Sequence, residues 1–292
     1  MVQVFLNSLD SAAIYLLAAL GFALIYRATR FFHFAHAASF TSGAYAAYFF
    51  LRTLHWPLVF AVLGALAASA LLGCAMELAV YRFLRRRSAP PTVLLISSLG
   101  MYIVLQNAIS LVFGDDLKSL RPVETKEGIA FFGANITSAQ ILTISTSVLL
   151  VFSLAVALRT LRLGKLIRAV ANDPDLALAL GIDKDRPILL AFAVGSLLGG
   201  VAGILVALEV DMTPTMGMGV FMMAVVAVII GGAASIPGVA VASLILGGAR
   251  HCSIWLFSPQ WQDSLAFALL LVFLWLRPQG ILGARSRRVS LY

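Results

Sequence analysis

"PLVFAVLGALAASALLGCAMELAV", residues 57–80, decides the fold of this chain, and its only charged residue is Glu77. An α-helix of about 20 apolar residues crosses the hydrocarbon core of a bilayer. Lipid offers no partner for backbone N–H and C=O groups, so a crossing segment must satisfy them internally, as a helix does. The stretch therefore predicts a membrane-spanning helix.

The composition of the whole chain agrees with this stretch. Of the 292 residues, 61% are apolar and 12% are charged, and the mean hydropathy is +0.97. A soluble domain is about half apolar and about a quarter charged. The charges are too few to cover a water-facing surface, which excludes a large soluble enzyme and indicates an integral membrane protein.

Apolar runs recur along the whole sequence. They cover residues 11–26, 36–54, 57–80, 91–113, 138–158, 188–208, 219–235, 237–257 and 262–277. The runs 36–54, 219–235 and 262–277 are short for a crossing, so some segments are expected to be re-entrant or broken. We predict an all-α polytopic membrane protein with eight or nine transmembrane or re-entrant helices. The longest polar stretch, about 114–137, is too short for a core of its own, so residues 1–292 are expected to form one transmembrane domain.

The basic residues orient the chain. The formal net charge is +8, and most of the 21 Lys and Arg residues flank apolar runs. Such flanking charge follows the rule that positive loops stay inside, and nucleic acid is not an expected partner. The 82–90 loop, the loop at about 159–187 and the C-terminal tail are expected in the cytoplasm. The N-terminus and the 114–137 loop are expected outside, which requires an odd number of crossings.

Several further chemistries are not expected. "MVQVFLNSLDS", residues 1–11, has no Lys or Arg and carries Asp10, so it does not predict a cleavable signal peptide. Cys74 and Cys252 lie in or near apolar runs and predict neither a disulfide framework nor a metal site. The sequence has no GxxxxGK[ST] phosphate-binding loop, and we expect no ATP hydrolysis by this chain.

"GKLIRAVANDPDLALALGID", residues 164–183, is a polar exception in the apolar chain. Asp173 suits an N-cap, Pro174 the first helical position and Gly181 the residue after a helix end. These residues predict a helix of about two turns, with the preceding "RLGKLIRAVAN" extending the apolar run before it. So short a helix is unstable alone. It docks either on its own bundle or in a groove of a cytoplasmic partner.

Other polar residues allow two interpretations each. His36 is either a hydrogen-bonded structural residue or part of a solute pathway. Gln106 and Asn107 favour hydrogen bonds between helices, with solute contact as the alternative. Glu77 favours pairing with a nearby arginine over coupling to a proton gradient.

A glycine-rich segment interrupts the apolar runs near residue 235. Gly231, Gly232, Pro237 and Gly238 indicate a re-entrant or kinked element beside a pathway, because broken backbone in the membrane survives only next to protein or a water-filled cavity. Close helix packing through small residues is the alternative.

Four stretches together resemble one family. They are "ALGFALIYRATRFFHFAHAASFTSGAYAAY" (19–48), "LISSLGMYIVLQN" (95–107), the 164–183 stretch and "IGGAASIPGVAVASLILG" (230–247). Their order and spacing resemble those of the branched-chain amino-acid ABC transporter permeases, the membrane subunits of Liv-type importers, and are closer to the LivH branch than to the LivM branch. The resemblance runs nearly end to end.

The resemblance implies a transport subunit of a bacterial inner membrane rather than an enzyme. Two permease subunits would form the pathway, the second being LivM-like or identical. Two ABC ATPase subunits would hydrolyse ATP, a solute-binding protein would deliver the solute from outside, and this chain would bind no cofactor. The coupling site to the ATPases would comprise Gly164, Arg168, Asn172, Asp173, Pro174 and Gly181. The pathway candidates are His36, Gly43, Gln106, Asn107, Gly231, Gly232, Pro237 and Gly238.

Departures from the family pattern keep other solutes open. Ala37 stands where the family usually has glycine after A-H, and "GMGVFMMAV", residues 217–225, has no Lys. Related permeases carry urea, short amides and other small solutes. An ion-coupled secondary transporter is the rival class. It would need a coupling-ion site such as paired carboxylates, whereas Glu77 is the only acid that the sequence places clearly inside the membrane.

Overall fold

The computed structural model describes residues 1–121, 128–131, 133–256, 258–277 and 279–282. Each predicted apolar run lies on a helix, with ends that differ from the predicted ones by a few residues in most cases, and the all-α prediction is confirmed. The helices are α1 (Val2–Thr29), α2 (His36–Tyr48), α3 (Leu58–Met76), α4 (Arg82–Arg86), α5 (Pro91–Phe113), α6 (Ser138–Thr160), α7 (Arg162–Asn172), α8 (Pro174–Ala179), α9 (Asp185–Ala207), α10 (Met216–Gly231), α11 (Ile236–Leu256) and α12 (Gln262–Leu276).

Two π-helical turns continue two of these helices. Phe49–Thr53 extends α2, and Glu77–Tyr81 joins α3 to α4 so that Leu58–Arg86 is continuous. Within the described residues, five helices are long and apolar enough to cross a membrane, and α10 is a shorter apolar helix. Two short strands, β1 (Ile129–Phe131) and β2 (Ala134–Ile136), form an antiparallel hairpin that the sequence does not predict.

The connecting segments gather at two ends of the bundle. At the hairpin end, the Gln3 side chain donates to the Asn135 carbonyl at 3.0 Å, and Arg121 pairs with Asp211 at 2.8 Å. At the other end, which we call the arginine-rich end, Arg82 pairs with Asp185 at 2.8 Å. The loops that charge assigns to one side of the membrane therefore meet at one end. The tail with Arg285, Arg287 and Arg288 lies outside the described residues.

Helices α1 and α9 form the centre of the bundle. In the most apolar 18 residues of each helix, the buried share is 78% for α1 and 72% for α9, against 17% for α5. Helix α1 packs against α10 and α11, while α9 packs against α2 and α3. These helices form two triples, α1–α2–α3 and α9–α10–α11. The first helix of each triple packs against the second and third helices of the other triple, and corresponding helices run in opposite directions. The peripheral helices expose apolar side chains, which is the arrangement expected in lipid.

Glycines set the distance between these helices. A Cβ on Gly43 of α2 would lie 2.6 Å from the carbonyl oxygen of Gly200 on α9, whereas one on Gly100 of α5 would have no neighbour within 4 Å. Contact at that distance forces helices apart, so we expect Gly43→Ala to destabilise the protein by about 1–3 kcal/mol. The control Gly100→Ala is expected to change stability little. Thermal unfolding in detergent micelles measures both, and equal midpoints would contradict the packing argument.

Candidate coupling site

Helix α8 has the caps that the sequence predicts. Asp173 has extended backbone (φ −148°, ψ 99°), and its Oδ1 accepts from the backbone N–H of Leu176 at 2.9 Å. Pro174 is the first residue of the helix, although its side chain lies outside the described part. Gly181 has a φ of +78°, the left-handed conformation that glycine adopts without strain. The predicted N-cap and C-terminal glycine are confirmed.

The leucines of α8 and of its end point outward. Leu176 and Leu178 are each 57% exposed and Leu180 is 72% exposed, whereas Ala177 is 2% exposed and anchors the helix. We call these three exposed residues the α8 leucine patch. It lies on the segment between α7 and α9, at the arginine-rich end. An exposed apolar patch of this kind marks a contact with a protein partner or with the membrane.

The prediction that "RLGKLIRAVAN" extends α6 is wrong. Leu161 has extended backbone (ψ 145°), and α7 starts afresh at Arg162. A Cβ on Gly164 would lie 2.5 Å from the Leu158 Cα, so α7 folds back closely against the end of α6. The physical reason is amphipathicity, because α7 buries Ile167, Val170 and Ala171 on one face and leaves its basic residues on the other.

The other predicted coupling residues lie on α7. Gly164 is buried at its contact with α6. Arg168 is half-buried, and its Nε has no hydrogen-bond partner among the described residues. Asn172 is the exposed last residue of α7, directly before the Asp173 cap. The structure therefore brings all six predicted coupling residues onto α7, α8 and their junctions.

An ionic cluster lies at the arginine-rich end between α4 and α9. Glu77 is 1% exposed, and both of its carboxylate oxygens accept from Arg85. Asp185 accepts from Arg82 Nε at 2.8 Å and from Arg86 Nη2 at 3.0 Å. The predicted pairing of Glu77 with a nearby arginine is confirmed. Such pairing compensates for the cost of burying a charged carboxylate.

Arg30 is a residue of this end that the sequence does not single out. It ends α1 in the left-handed conformation (φ 60°, ψ 23°), and its Nη2 donates to the Ala171 carbonyl at 2.5 Å. That contact joins residues 141 positions apart. No local pattern in the sequence indicates it.

The predicted pathway residues do not lie at one place in the structure. His36 is 2% exposed, with its ring between α1 and α9, where Cβ atoms on Gly21 and Gly199 would each lie 3.1 Å from its Cε1. Gly43 lies on the same helix as His36 and packs against Gly200 of α9. Asn107 donates to the Ile103 carbonyl of its own helix at 2.8 Å, and Gln106 is half-buried. The pathway role of these residues stays a prediction.

The glycine-rich segment is a turn between two helices. Helix α10 ends at Gly231, Gly232 has a φ of +89°, and Pro237 lies in the first turn of α11. A Cβ on Gly231 would lie 2.5 Å from the Gly238 carbonyl. The Gly231 carbonyl also accepts from the N–H of Leu282 at 3.4 Å. These contacts are those of close packing, which is the alternative to a re-entrant element. A pocket lined by Phe22, Tyr26 and Phe32 adjoins the turn.

Asp10 precedes the predicted apolar run 11–26, but the structure includes it in a helix. It lies in α1, is 6% exposed, and its carboxyl lies beside that of Glu209 at the end of α9. Glu209 accepts from the Thr143 hydroxyl at 3.0 Å. Glu77 is therefore not the only acid within the bundle. Helix α1 begins at Val2, before the apolar run itself, and this earlier start carries Asp10 inward.

These features define a polytopic α-helical membrane protein with a short capped helix, α8, exposed at one end. Comparison with known protein families identifies the family of this chain. The profile described as "Branched-chain amino acid transport system / permease component" matches residues 4–274, and the chain belongs to this family of transport permeases, which are not enzymes.

Two relatives match almost end to end. "High-affinity branched-chain amino acid transport system permease protein LivH" of Escherichia coli strain K12 is 32% identical, over 96% of this chain and 95% of the relative. "High-affinity branched-chain amino acid transport system permease protein BraD" of Pseudomonas aeruginosa is 33% identical over the same shares. A solved structure, "PsaBC from Streptococcus pneumoniae in complex with Fab", has a TM-score of 0.49 and 13% identity over 92% of this chain and 90% of that chain.

Proposed function

We propose that this chain is a permease subunit of an ABC importer for branched-chain amino acids, driven by separate ATPase subunits. The exposed α8 leucine patch carries the proposal, because it offers an apolar surface outside the membrane that a partner groove would cover. Family membership supports the solute class, since the printed names of the relatives above give branched-chain amino acids.

The orientation in the membrane follows from charge. The arginine-rich end faces the cytoplasm of a bacterial inner membrane under the positive-inside rule, which puts the α8 leucine patch and the C-terminus there. The ATPase subunits dock at this end, where this chain contributes the residues of α7 and α8. A solute-binding protein meets the opposite hairpin end.

The pathway runs along a face of this chain rather than through it. The centre of the bundle is filled, because α1 and α9 touch at Gly21 and Gly195 and the rings of Phe22 and Phe221 meet edge to face at 5.4 Å between centroids. A second permease subunit, LivM-like or identical, is needed to enclose the pathway. Branched-chain side chains suit an apolar wall of this kind.

One observation favours a different class. The carboxyl groups of Asp10 and Glu209 lie beside one another, and paired carboxylates are a feature of ion-coupled secondary transporters. A transporter of that class would move solute without ATPases, which makes the two functions separable by experiment.

Reconstitution in proteoliposomes tests the proposal. We expect leucine uptake only when the chain is combined with a second permease, its ATPases, its binding protein and ATP. Urea and acetamide are the competing solutes, and neither is expected to reduce leucine uptake. Uptake by the permease alone under a proton or sodium gradient would overturn the proposal in favour of ion coupling. Competition by urea or acetamide would instead overturn the solute class.

A further inference from the structure

The segment that carries α8 is attached to the bundle at both of its ends. Before α8, the Ala171 carbonyl of α7 accepts from Arg30 Nη2 at 2.5 Å, two residues ahead of the Asp173 cap. After α8, the Asp185 carboxylate accepts from Arg82 Nε at 2.8 Å and from Arg86 Nη2 at 3.0 Å. We call the Arg30–Ala171 bond the first tether and the Asp185–arginine bonds the second tether.

The first tether joins α8 to the central helix α1. Arg30 holds a left-handed backbone conformation (φ 60°) at a position after a helix end that glycine usually fills. Its N–H caps α1 by donating to the Tyr26 carbonyl at 2.7 Å. Glycine would make the same cap without strain but has no side chain to reach Ala171. Arginine at this position therefore makes a contact with α7 that glycine could not make.

The second tether joins the other side of the segment to the α3–α4 helix. Asp185 is the first residue of α9, and its side chain is 15% exposed. A charge-assisted bond from two guanidinium groups is strong and directional. Movement of the loop therefore acts on α9 through the chain and on α4 through Asp185. Since α1 and α9 belong to the two opposed triples, the tethers connect α8 to both.

We propose that Arg30 and Asp185 are positioning residues that transmit displacement of α8 to the two triples of helices. This inference rests on the proposed function, because the displacement comes from a docked ATPase. The α8 leucine patch binds the partner, and the tethers convert the partner's movement into movement of α1, α4 and α9. Loss of a tether uncouples ATP hydrolysis from transport without releasing the ATPase.

The test compares ATP hydrolysis and leucine uptake in the reconstituted transporter. We expect Arg30→Gln and Asp185→Asn each to lower uptake per ATP hydrolysed at least tenfold while ATPase co-purification stays within twofold of wild type. Arg30→Lys and Asp185→Glu keep the charge and are expected to recover most of the uptake. Arg186→Gln, which removes an exposed arginine next to the second tether, is the matched control and is expected to transport like wild type.

The outcomes separate the two proposals. Normal uptake per ATP hydrolysed in both Arg30→Gln and Asp185→Asn overturns the role of the tethers and leaves the proposed function standing. An equal fall in hydrolysis, uptake and co-purification also overturns them, because it indicates a structural role. A wild-type chain that never assembles with ATPases overturns the proposed function and the tethers with it.

Discussion

Replacing Leu176 and Leu180 together with aspartate is expected to abolish ATPase co-purification and ATP-dependent leucine uptake. The two side chains are 57% and 72% exposed, so the bundle does not depend on them for its packing. A carboxylate placed in a closed apolar groove loses its hydration without gaining a partner, which costs several kcal/mol. Each 1.4 kcal/mol lowers affinity tenfold, so two such changes are sufficient to prevent assembly. Co-purification from membranes, followed by uptake into proteoliposomes, measures both effects.

Leu117 provides the matched control. It is 69% exposed and lies at the hairpin end, away from the proposed ATPase surface. Leu117→Asp is expected to leave ATPase binding unchanged while introducing the same change in chemistry. If the Leu176 and Leu180 double variant binds ATPases normally and transports, α8 is only a compact loop and another surface must couple the subunits.

Local signals in the sequence were sufficient for the long apolar helices and for α8. Apolar runs of about 20 residues are visible without tertiary contacts, and the run 91–113 coincides with α5. Asp173 and Gly181 fix the ends of α8 for local reasons, so their roles as caps are predictable. The break at Leu161 was missed because the basic residues that follow are compatible both with a continuing helix and with an amphipathic helix that folds back.

The features that the sequence did not predict depend on contacts between distant parts of the chain. The Arg30–Ala171 and Arg82–Asp185 contacts join residues 141 and 103 positions apart, and nothing near either partner in the chain indicates the other. The burial of Asp10 was not predicted, for a related reason. Its carboxyl lies beside that of Glu209, which follows α9 and accepts from Thr143 of α6. Such neighbours depend on how helices pack, which a single sequence does not specify.

Arg85→Leu is expected to destabilise the protein more than any other single substitution proposed for the ionic cluster. Glu77 is 1% exposed, and Arg85 is 13% exposed and bonds to both of its carboxylate oxygens. Removing one partner leaves a buried charge without compensation, which costs roughly 3–5 kcal/mol. Replacing both partners with apolar residues of similar volume is often neutral. The Glu77→Leu, Arg85→Leu double variant is therefore expected to recover most of the lost stability.

Thermal unfolding of detergent-solubilised protein measures this difference, and Arg87→Leu is the control. Arg87 is exposed and lies over the Phe83 ring at 4.3 Å from its centroid, a contact worth about 0.5–1 kcal/mol at an exposed site. Its loss is expected to lower the free energy of unfolding by no more than that amount. A double variant as unstable as Arg85→Leu would show that the loss comes from another contact of Arg85. Asp185 is the candidate, because one of its carboxylate oxygens lies 3.8 Å from Arg85 Nη2.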